Sequence, residues 1–259
     1  KIRYWVKDIV TNVEGTITKT LASATYDQNK YYNITANLNV HDYDGDHYYM
    51  WDAQDQYWKG HEWHNGGSQP TLSQGLPGAT TSNDYAKSNA DSRYWNESYP
   101  GYGVSNPATH TSCKDLPNVN EMTWYAAKGE PRWDADELWT TMGHLYKGGM
   151  WFKKKANISG FNPNTAEDGT DWRTNGNGHG WSVSQTLPSA ADAGNYFYLP
   201  ALGYYDFGQL SGVGSVGAYW SSNTSTLMWN YAYTLSFLSS RVNVGNANRY
   251  RGYRVEAFQ

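Results

Sequence analysis

The stretch from Tyr219 to Gln259 reads YWSSNTSTLMWNYAYTLSFLSSRVNVGNANRYRGYRVEAFQ, and its periodicity decides the fold expected of this chain. Tyr233, Leu235 and Phe237 alternate with Ala232, Thr234 and Ser236. Val242 and Val244 alternate with Arg241, Asn243 and Gly245, and Tyr253, Val255 and Ala257 with Arg254 and Glu256. Period-two alternation predicts half-buried antiparallel strands. The last of these, Tyr253 to Phe258, is expected inside a sheet with Val255 and Ala257 buried. Between the anchors stand Ser, Asn, Thr, Gly, Arg and Tyr, the vocabulary of adaptable binding loops.

Working outward, 259 residues allow one large domain, or a domain with an appendage, with a core of useful size. The chain is 16% aromatic and only 17% charged, which argues for a β-leaning globular protein rather than a disordered one. A net charge of −4 and a pI near 6.0 give no basic face for nucleic acid. No apolar run is long enough to span a membrane. Lys1 begins inside a strand-like pattern, which reads as a mature fragment. Cys113 stands alone and reads as a small buried hydrophobe.

From Ile2 to Val40 the pattern suggests short strands, with Ile34, Ala36, Leu38 and Val40 alternating; such a segment needs a partner sheet. His41 to Trp63 is dense in aromatics and acids. Asn65 to Thr111 reads as a long insertion packed by its own Tyr and Trp residues. Two helices are expected in the middle. Asn118 or Asn120 caps Glu121 to Lys128 with Gly129 as the stop, and Asp134 precedes Ala135 to Met142, placing Leu138, Met142 and Leu145 on one face. Gly148-Gly149 is expected to break the pattern before Met150. Thr165 to Ser184 reads as loop anchored by Trp172 and Trp181.

The string YFYLPALGYYDFGQLSGVGSVGAYWSS, Tyr196 to Ser222, carries a family resemblance whose most specific part is YWSS. From Leu116 to Gln259 the chain resembles the Fibrobacter succinogenes major paralogous type of domain found in Fibrobacter and Bacteroidetes surface proteins. That type belongs with the C-type lectin-like and formylglycine-generating-enzyme-like folds. It also resembles the variable domain of retroelement-diversified proteins, where the fold displays a mutable ligand-binding face. The segment VHDYDGDHYYMWDAQDQYWKGHEW, Val40 to Trp63, resembles the joint between such a domain and a fimbrillin-like β-domain in Bacteroidales pilus adhesins. The resemblance implies an α+β fold, with the two central helices flanking the sheet. It divides the chain into 1–45, the end of a fimbrillin-like β-domain, and 46–259, a lectin-like ligand-binding domain with long loop insertions.

Candidate chemistry is sparse. His41-Asp42-Tyr43-Asp44-Gly45-Asp46 spaces carboxylates around a glycine, but an EF-type calcium loop starting at Asp42 wants glycine sixth and glutamate twelfth. Gly45 is fourth, and Ala53 stands where the glutamate belongs, so a polar turn is the better reading. The calcium triplets of many C-type lectins do not occur; Asn162-Pro163-Asn164 comes nearest and lacks the acid. His61 and His64 are three apart, not the four a zinc-protease helix needs. Related formylglycine-generating enzymes use paired cysteines, and this chain has one. Gly212-Val213-Gly214-Ser215-Val216-Gly217 contains Gly-x-Ser-x-Gly, yet strand and turn follow it rather than the helix a nucleophile elbow requires. No metal, cofactor or catalytic residue is assigned.

A binding face explains more residues. It gathers Phe207, Gln209, Ser211, Thr226, Leu227, Met228, Trp229, Asn230, Ser236, Leu238, Ser239, Arg241, Asn243, Asn246, Asn248, Tyr250 and Arg251, beside Asp206, Val213 and Thr224. Trp229, Tyr250, Phe207 and Arg251 are its natural anchors, large side chains that bury area at low entropy cost. The expectation is a non-enzymatic adhesin, extracellular at a cell surface or pilus tip, with a face diversified by a retroelement. Its ligand is an unidentified protein or glycan on a host or bacterial surface, and other pilus subunits are further partners. The alternatives are a structural pilus subunit using the domain as scaffold, and an enzyme of the formylglycine-generating type.

Overall fold

In the computed structural model, residues 1–23, 25–32, 40–72, 81–97, 105–175 and 178–259 are described. The alternation over Ile34, Ala36 and Leu38 lies outside them, as does part of the Asn65 to Thr111 insertion. The strands are β1 (Ile2–Lys7), β2 (Glu14–Lys19), β3 (His41–Asp42), β4 (Tyr48–Tyr49), β5 (Arg132–Thr141), β6 (His144–Lys153), β7 (His179–Ser182), β8 (Tyr196–Pro200), β9 (Leu202–Asp206), β10 (Gln209–Val213), β11 (Gly217–Thr224), β12 (Tyr231–Leu238), β13 (Arg241–Asn248) and β14 (Tyr253–Arg254). The helices are α1 (Val119–Lys128) and the one-turn α2 (Trp172–Asn175).

The expected α+β class is corrected: 37% of the described residues are in strands and 10% in helices, so the protein is mostly β. The largest change falls on Ala135 to Met142, which lies in β5 and the turn after it rather than in a helix. Asp134 does make the two bonds of a helix cap, accepting from the amides of Asp136 and Glu137 at 3.0 Å each. It does so inside a bulge, where the register against β6 shifts between Asp134 and Leu138. Met142 and Gly143 then both take positive φ, 49° and 76°, which closes a tight hairpin into β6. Nor does Gly148-Gly149 break the chain. A Cβ on Gly148 would lie 2.6 Å from the Gly214 oxygen, and one on Gly149 would collide with the Tyr198 ring. Glycine is what lets β6 run on beside its neighbours.

A six-stranded sheet, ordered β4-β14-β11-β12-β13-β7, forms the centre, and a four-stranded sheet, β3-β5-β6-β8, lies beside it. The segment expected as loop from Thr165 to Ser184 supplies α2 and the edge strand β7, which pairs with β13. One face of the large sheet presents Tyr233, Leu235, Phe237, Val242 and Val244 to α1 and to Trp133, Met150 and Phe152 of the smaller sheet. The expected helix α1 is present. Asn118 caps it, its side chain accepting from the Glu121 amide at 3.1 Å while the Glu121 carboxylate accepts from the Asn118 amide at 2.8 Å. The other face is covered as well. Trp51, Cys113 and Ala108 pack on Ala218, Trp220, Ala232, Ala247 and Tyr253. Ala232 and Thr234 are therefore buried, while Ser236 is half-buried and Leu238 exposed.

The C-terminal strand is shorter than expected. Only Tyr253 and Arg254 join the sheet, pairing with β4 on one side and running parallel to β11 on the other. Val255 is half-buried and Ala257 exposed, against the expectation of burial. The chain leaves the sheet so that Phe258 can pack on Tyr125 and Phe197, and the Gln259 carbonyl accepts from the Lys155 amide at 2.9 Å.

The β1–β2 hairpin docks on the β5–β6 turn through Asp8. Its carboxylate accepts from the amides of Val10 (2.7 Å), Thr11 (3.1 Å) and Leu145 (2.9 Å) and meets His144 Nδ1 at 3.1 Å. Contacts also cross residue 45, where His41 and Asp42 pair with Trp139 and Thr140.

Two outcomes follow from this packing. Leu235→Ala, Phe237→Ala and Val244→Ala each lower unfolding free energy in denaturant by about 2–4 kcal/mol. Burial alone would raise the Asp8 pKa, yet the amides of Leu145, Thr11 and Val10 and the His144 ring hold it below its ordinary 3.8. A depressed carboxylate contributes stability above 3.8 that is lost as pH falls through its lower folded value. Hydrogen exchange of β1 and β2 is thus slower in the native protein than in Asp8→Asn at neutral pH. The difference narrows as pH falls below 3.8 and closes once the pH is below the lowered folded value and Asp8 is protonated. A gap that persisted there would remove Asp8 as the latch.

Candidate functional site

The turn between β9 and β10 is built to present a side chain. Phe207 and Gly208 take φ of 46° and 75°, and Phe207 is 57% exposed. A Cβ on Gly208 would collide with the Ser82 backbone oxygen, so glycine lets the turn seat against the insertion. Phe207 packs on Tyr250 with centroids 4.8 Å apart and stands edge-on to Tyr85 at 6.4 Å. These rings, with Met50, Tyr57, Lys87 and Tyr94, line a depression of about 200 Å³.

The loop after β11 presents Leu227, Met228 and Trp229, which are 50%, 44% and 50% exposed. Trp229 lies 5.4 Å from Trp95 of the insertion. Asn230 Nδ2 donates to Asn248 Oδ1 at 3.0 Å, and the Thr226 and Tyr233 hydroxyls meet at 3.2 Å. A third group lies on the open end of the sheet, where Ser236, Leu238, Asn243 and Arg251 join Tyr204 and Tyr253 around a depression of about 220 Å³. Arg251 is committed there, bonded to Asp206 at 3.0 Å and to the Tyr253 hydroxyl at 3.3 Å.

The expected face is therefore divided. Phe207 and Tyr250 form one group, Thr226 to Asn230 a second, and Ser236, Leu238, Asn243 and Arg251 a third. Ser239 and Arg241 are exposed at the β12–β13 hairpin. Gln209 is exposed and Ser211 half-buried on β10, whose first residue bridges Thr81. Strand parity separates the asparagines: Asn243 points to the face opposite Val242 and Val244, whereas Asn246 and Asn248 share the valines' face.

Sequence reasoning missed Tyr85, Lys87, Tyr94 and Trp95, although Tyr94-Trp95 inside a polar insertion was a usable signal. It also missed Arg249, for which the sequence offers none. Arg249 is fully buried with its guanidinium 4.3 Å from the Trp95 ring and 5.2 Å from Trp51, and it donates to the Asn96 carbonyl at 2.5 Å. Burial pushes its pKa down to about 10 against the opposing pull of Asp52 and Glu97. It holds the insertion to the sheet.

Elsewhere, the Ser215 hydroxyl donates to the Gly212 carbonyl within a turn between β10 and β11. Burial pushes the Cys113 thiol up to about 12. Among the described residues no group of three His, Cys, Asp or Glu side chains is placed to hold a metal ion. No family model matches the chain, and no curated protein or solved structure matches it.

Three substitutions separate surface from brace. Trp229→Ala stays within about 1 kcal/mol of the native stability, since it loses a half-exposed ring contact. Arg251→Ala destabilises more than Trp229→Ala, because Asp206 is left without its cation. Arg249→Met costs about 2–3 kcal/mol, at the upper end of ordinary single substitutions. Denaturant titrations order the three; Trp229→Ala as costly as Arg249→Met would make Trp229 a core residue.

Proposed function

We propose that the protein is a non-enzymatic adhesin, extracellular at a cell surface or pilus, that grips its ligand with the β9–β10 turn and the β11–β12 loop. The observation that carries this reading is the run Leu227-Met228-Trp229. Three large apolar side chains in sequence stand about half exposed on a loop. Contiguous exposed apolar surface on a globular domain marks an interaction site. Phe207 adds a fourth such side chain on a left-handed turn, a conformation that favours glycine and that a bulky residue occupies at a cost. The resemblance to retroelement-diversified variable domains supports the same face, because loop positions around a buried scaffold can change without disturbing it.

A structural pilus subunit is the second reading. What favours it is the β1–β2 hairpin, a two-stranded sheet whose Trp5 and Ile9 are 65% and 77% exposed. Exposed strand edges template pairing with another chain.

The test displays the protein on beads and measures adhesion to host and bacterial cell surfaces. Trp229→Ala and Phe207→Ala weaken adhesion about tenfold each, as interface anchors do, with melting curves close to native. Trp5→Ala leaves adhesion unchanged. If Trp5→Ala abolished self-assembly while Trp229→Ala and Phe207→Ala adhered like the native protein, the subunit reading would replace this one.

A further inference from the structure

Beside Trp229 lies a cleft of about 320 Å³ that the expected face does not include. Asp52 and Gln54 form one wall, the run from Asn89 to Asn96 another, and His110 closes it. Tyr94 lines this cleft and also the depression between Tyr85, Phe207 and Tyr250. The two are adjoining chambers of one trough with a tyrosine between them; the larger lies at the lower end of ordinary small-ligand pocket volumes and the smaller below it.

The chemistry of the walls is selective. Its carboxylates are already engaged. Asp91 holds Arg93 through bonds of 2.7 and 3.0 Å. Asp52 accepts from the amides of Thr109 and His110 at 2.8 and 2.7 Å and from the Thr109 hydroxyl at 2.7 Å. The nearby cations are engaged too: Arg93 by Asp91, Arg249 between two tryptophans, and Lys87 over the Tyr85 ring at 4.9 Å. An ionic ligand thus meets little uncompensated charge. What the walls offer instead is neutral amides and aromatic faces: Gln54, Asn96 and Asn89, an amide being both donor and acceptor, although Asn89 already donates Nδ2 to the Glu97 carboxylate at 3.0 Å. No residue lining either chamber lies in a strand, so a peptide cannot bind here by extending a sheet.

We propose that this trough binds a neutral oligosaccharide. A pyranose carries an apolar C–H face that packs on an aromatic ring, whose face is electron-rich. Its hydroxyls donate and accept at once, the property that side-chain amides match. One sugar unit stacks between Tyr94 and the Phe207–Tyr250 pair. The next lies past Tyr94, with Asn89 and Asn96 at its hydroxyls and Trp229 at the rim. The inference rests on the adhesin reading and names the class of ligand for it.

The experiment titrates the full chain with neutral di- to hexasaccharides of glucose, mannose, galactose and xylose, by calorimetry and by tryptophan fluorescence. Sulfated saccharides and tyrosine-rich peptides run beside them. At least one neutral series binds saturably and shifts the emission. Affinity falls about tenfold or more in Asn89→Ala and Tyr94→Ala, as hot-spot truncations do. Asn89 is exposed, so its variant keeps the fold even if Tyr94→Ala does not. Binding only by the sulfated or peptide probes, no binding at all, or neutral-sugar binding indifferent to Asn89→Ala and a folded Tyr94→Ala overturns the inference. The adhesion assay keeps the two readings apart. Adhesion that depends on Trp229 but is not competed by any neutral saccharide leaves the adhesin standing without this ligand. Saccharide binding without Trp229-dependent adhesion does the reverse.

Discussion

Everything in the molecule leans on the burial of β11, all of whose side chains are inside. A strand buried on both faces needs a partner for every polar atom, since an unpaired one costs about 1–3 kcal/mol. Its hydrogen bonds therefore tie distant parts of the chain together. Tyr219 sits in the core under α1 and donates its hydroxyl to the Pro200 carbonyl at 2.6 Å. Trp220 sits on the opposite face and donates to the Tyr49 carbonyl at 2.8 Å. The Ser221 carbonyl accepts from the indole of Trp51 at 2.8 Å, and Ala108 donates its amide to the Ser222 carbonyl at 2.7 Å. Four successive residues thus recruit β8, β4, the segment after it and the end of the insertion.

That constraint explains why the insertion is part of the structure rather than a pendant loop. Gln69 reaches from it to the Gly45 carbonyl and the Tyr205 hydroxyl, both at 3.0 Å. The Ser92 carbonyl takes two amides, those of Gln54 and Asp55. Arg93 donates from the insertion to the Tyr57 carbonyl at 3.4 Å, and Arg249 from just past the end of β13 to the Asn96 carbonyl at 2.5 Å. The expectation that the insertion packs on its own aromatics gives way to one in which Trp95 and Ala86 pack into the body. A loop tied down this way can hold a ligand pocket with little entropy left to lose on binding.

The legible parts of the fold were those where one principle acts alone. Tyr233, Leu235 and Phe237 announce a strand because their period is unambiguous and tertiary packing agrees with it. Asn118 and Glu121 announce a helix start because both reciprocal bonds are local. Asp134 misled for the same reason. Its cap-like bonds are local and real, but a bulge uses them as well as a helix does, and Trp133 and Trp139 gain more by packing in a sheet. The site was less legible than the fold. Phe207, Trp229 and Tyr250 stood out as large residues among small ones. Parity along β13 dispersed the asparagines. The insertion's share of the site depends on contacts between residues more than a hundred positions apart, as with Trp95 and Trp229, which no period records.

The division of labour between charge and aromaticity is the last consequence. Four arginines near the presented loops brace the interior. Arg93 is held by Asp91, Arg249 lies between Trp51 and Trp95, Arg251 pairs with Asp206, and Arg254 sits over Tyr48. Cations spent on bracing are not available for long-range attraction, so a ligand of these loops would be recruited by contact rather than by steering. Contact recognition rewards rigid faces. Rings such as Trp229 and Phe207 supply these because each is backed by another ring. A surface built on this plan can exchange the residues around its rings and keep the braces, so altered specificity need not disturb the buried strand on which the fold depends.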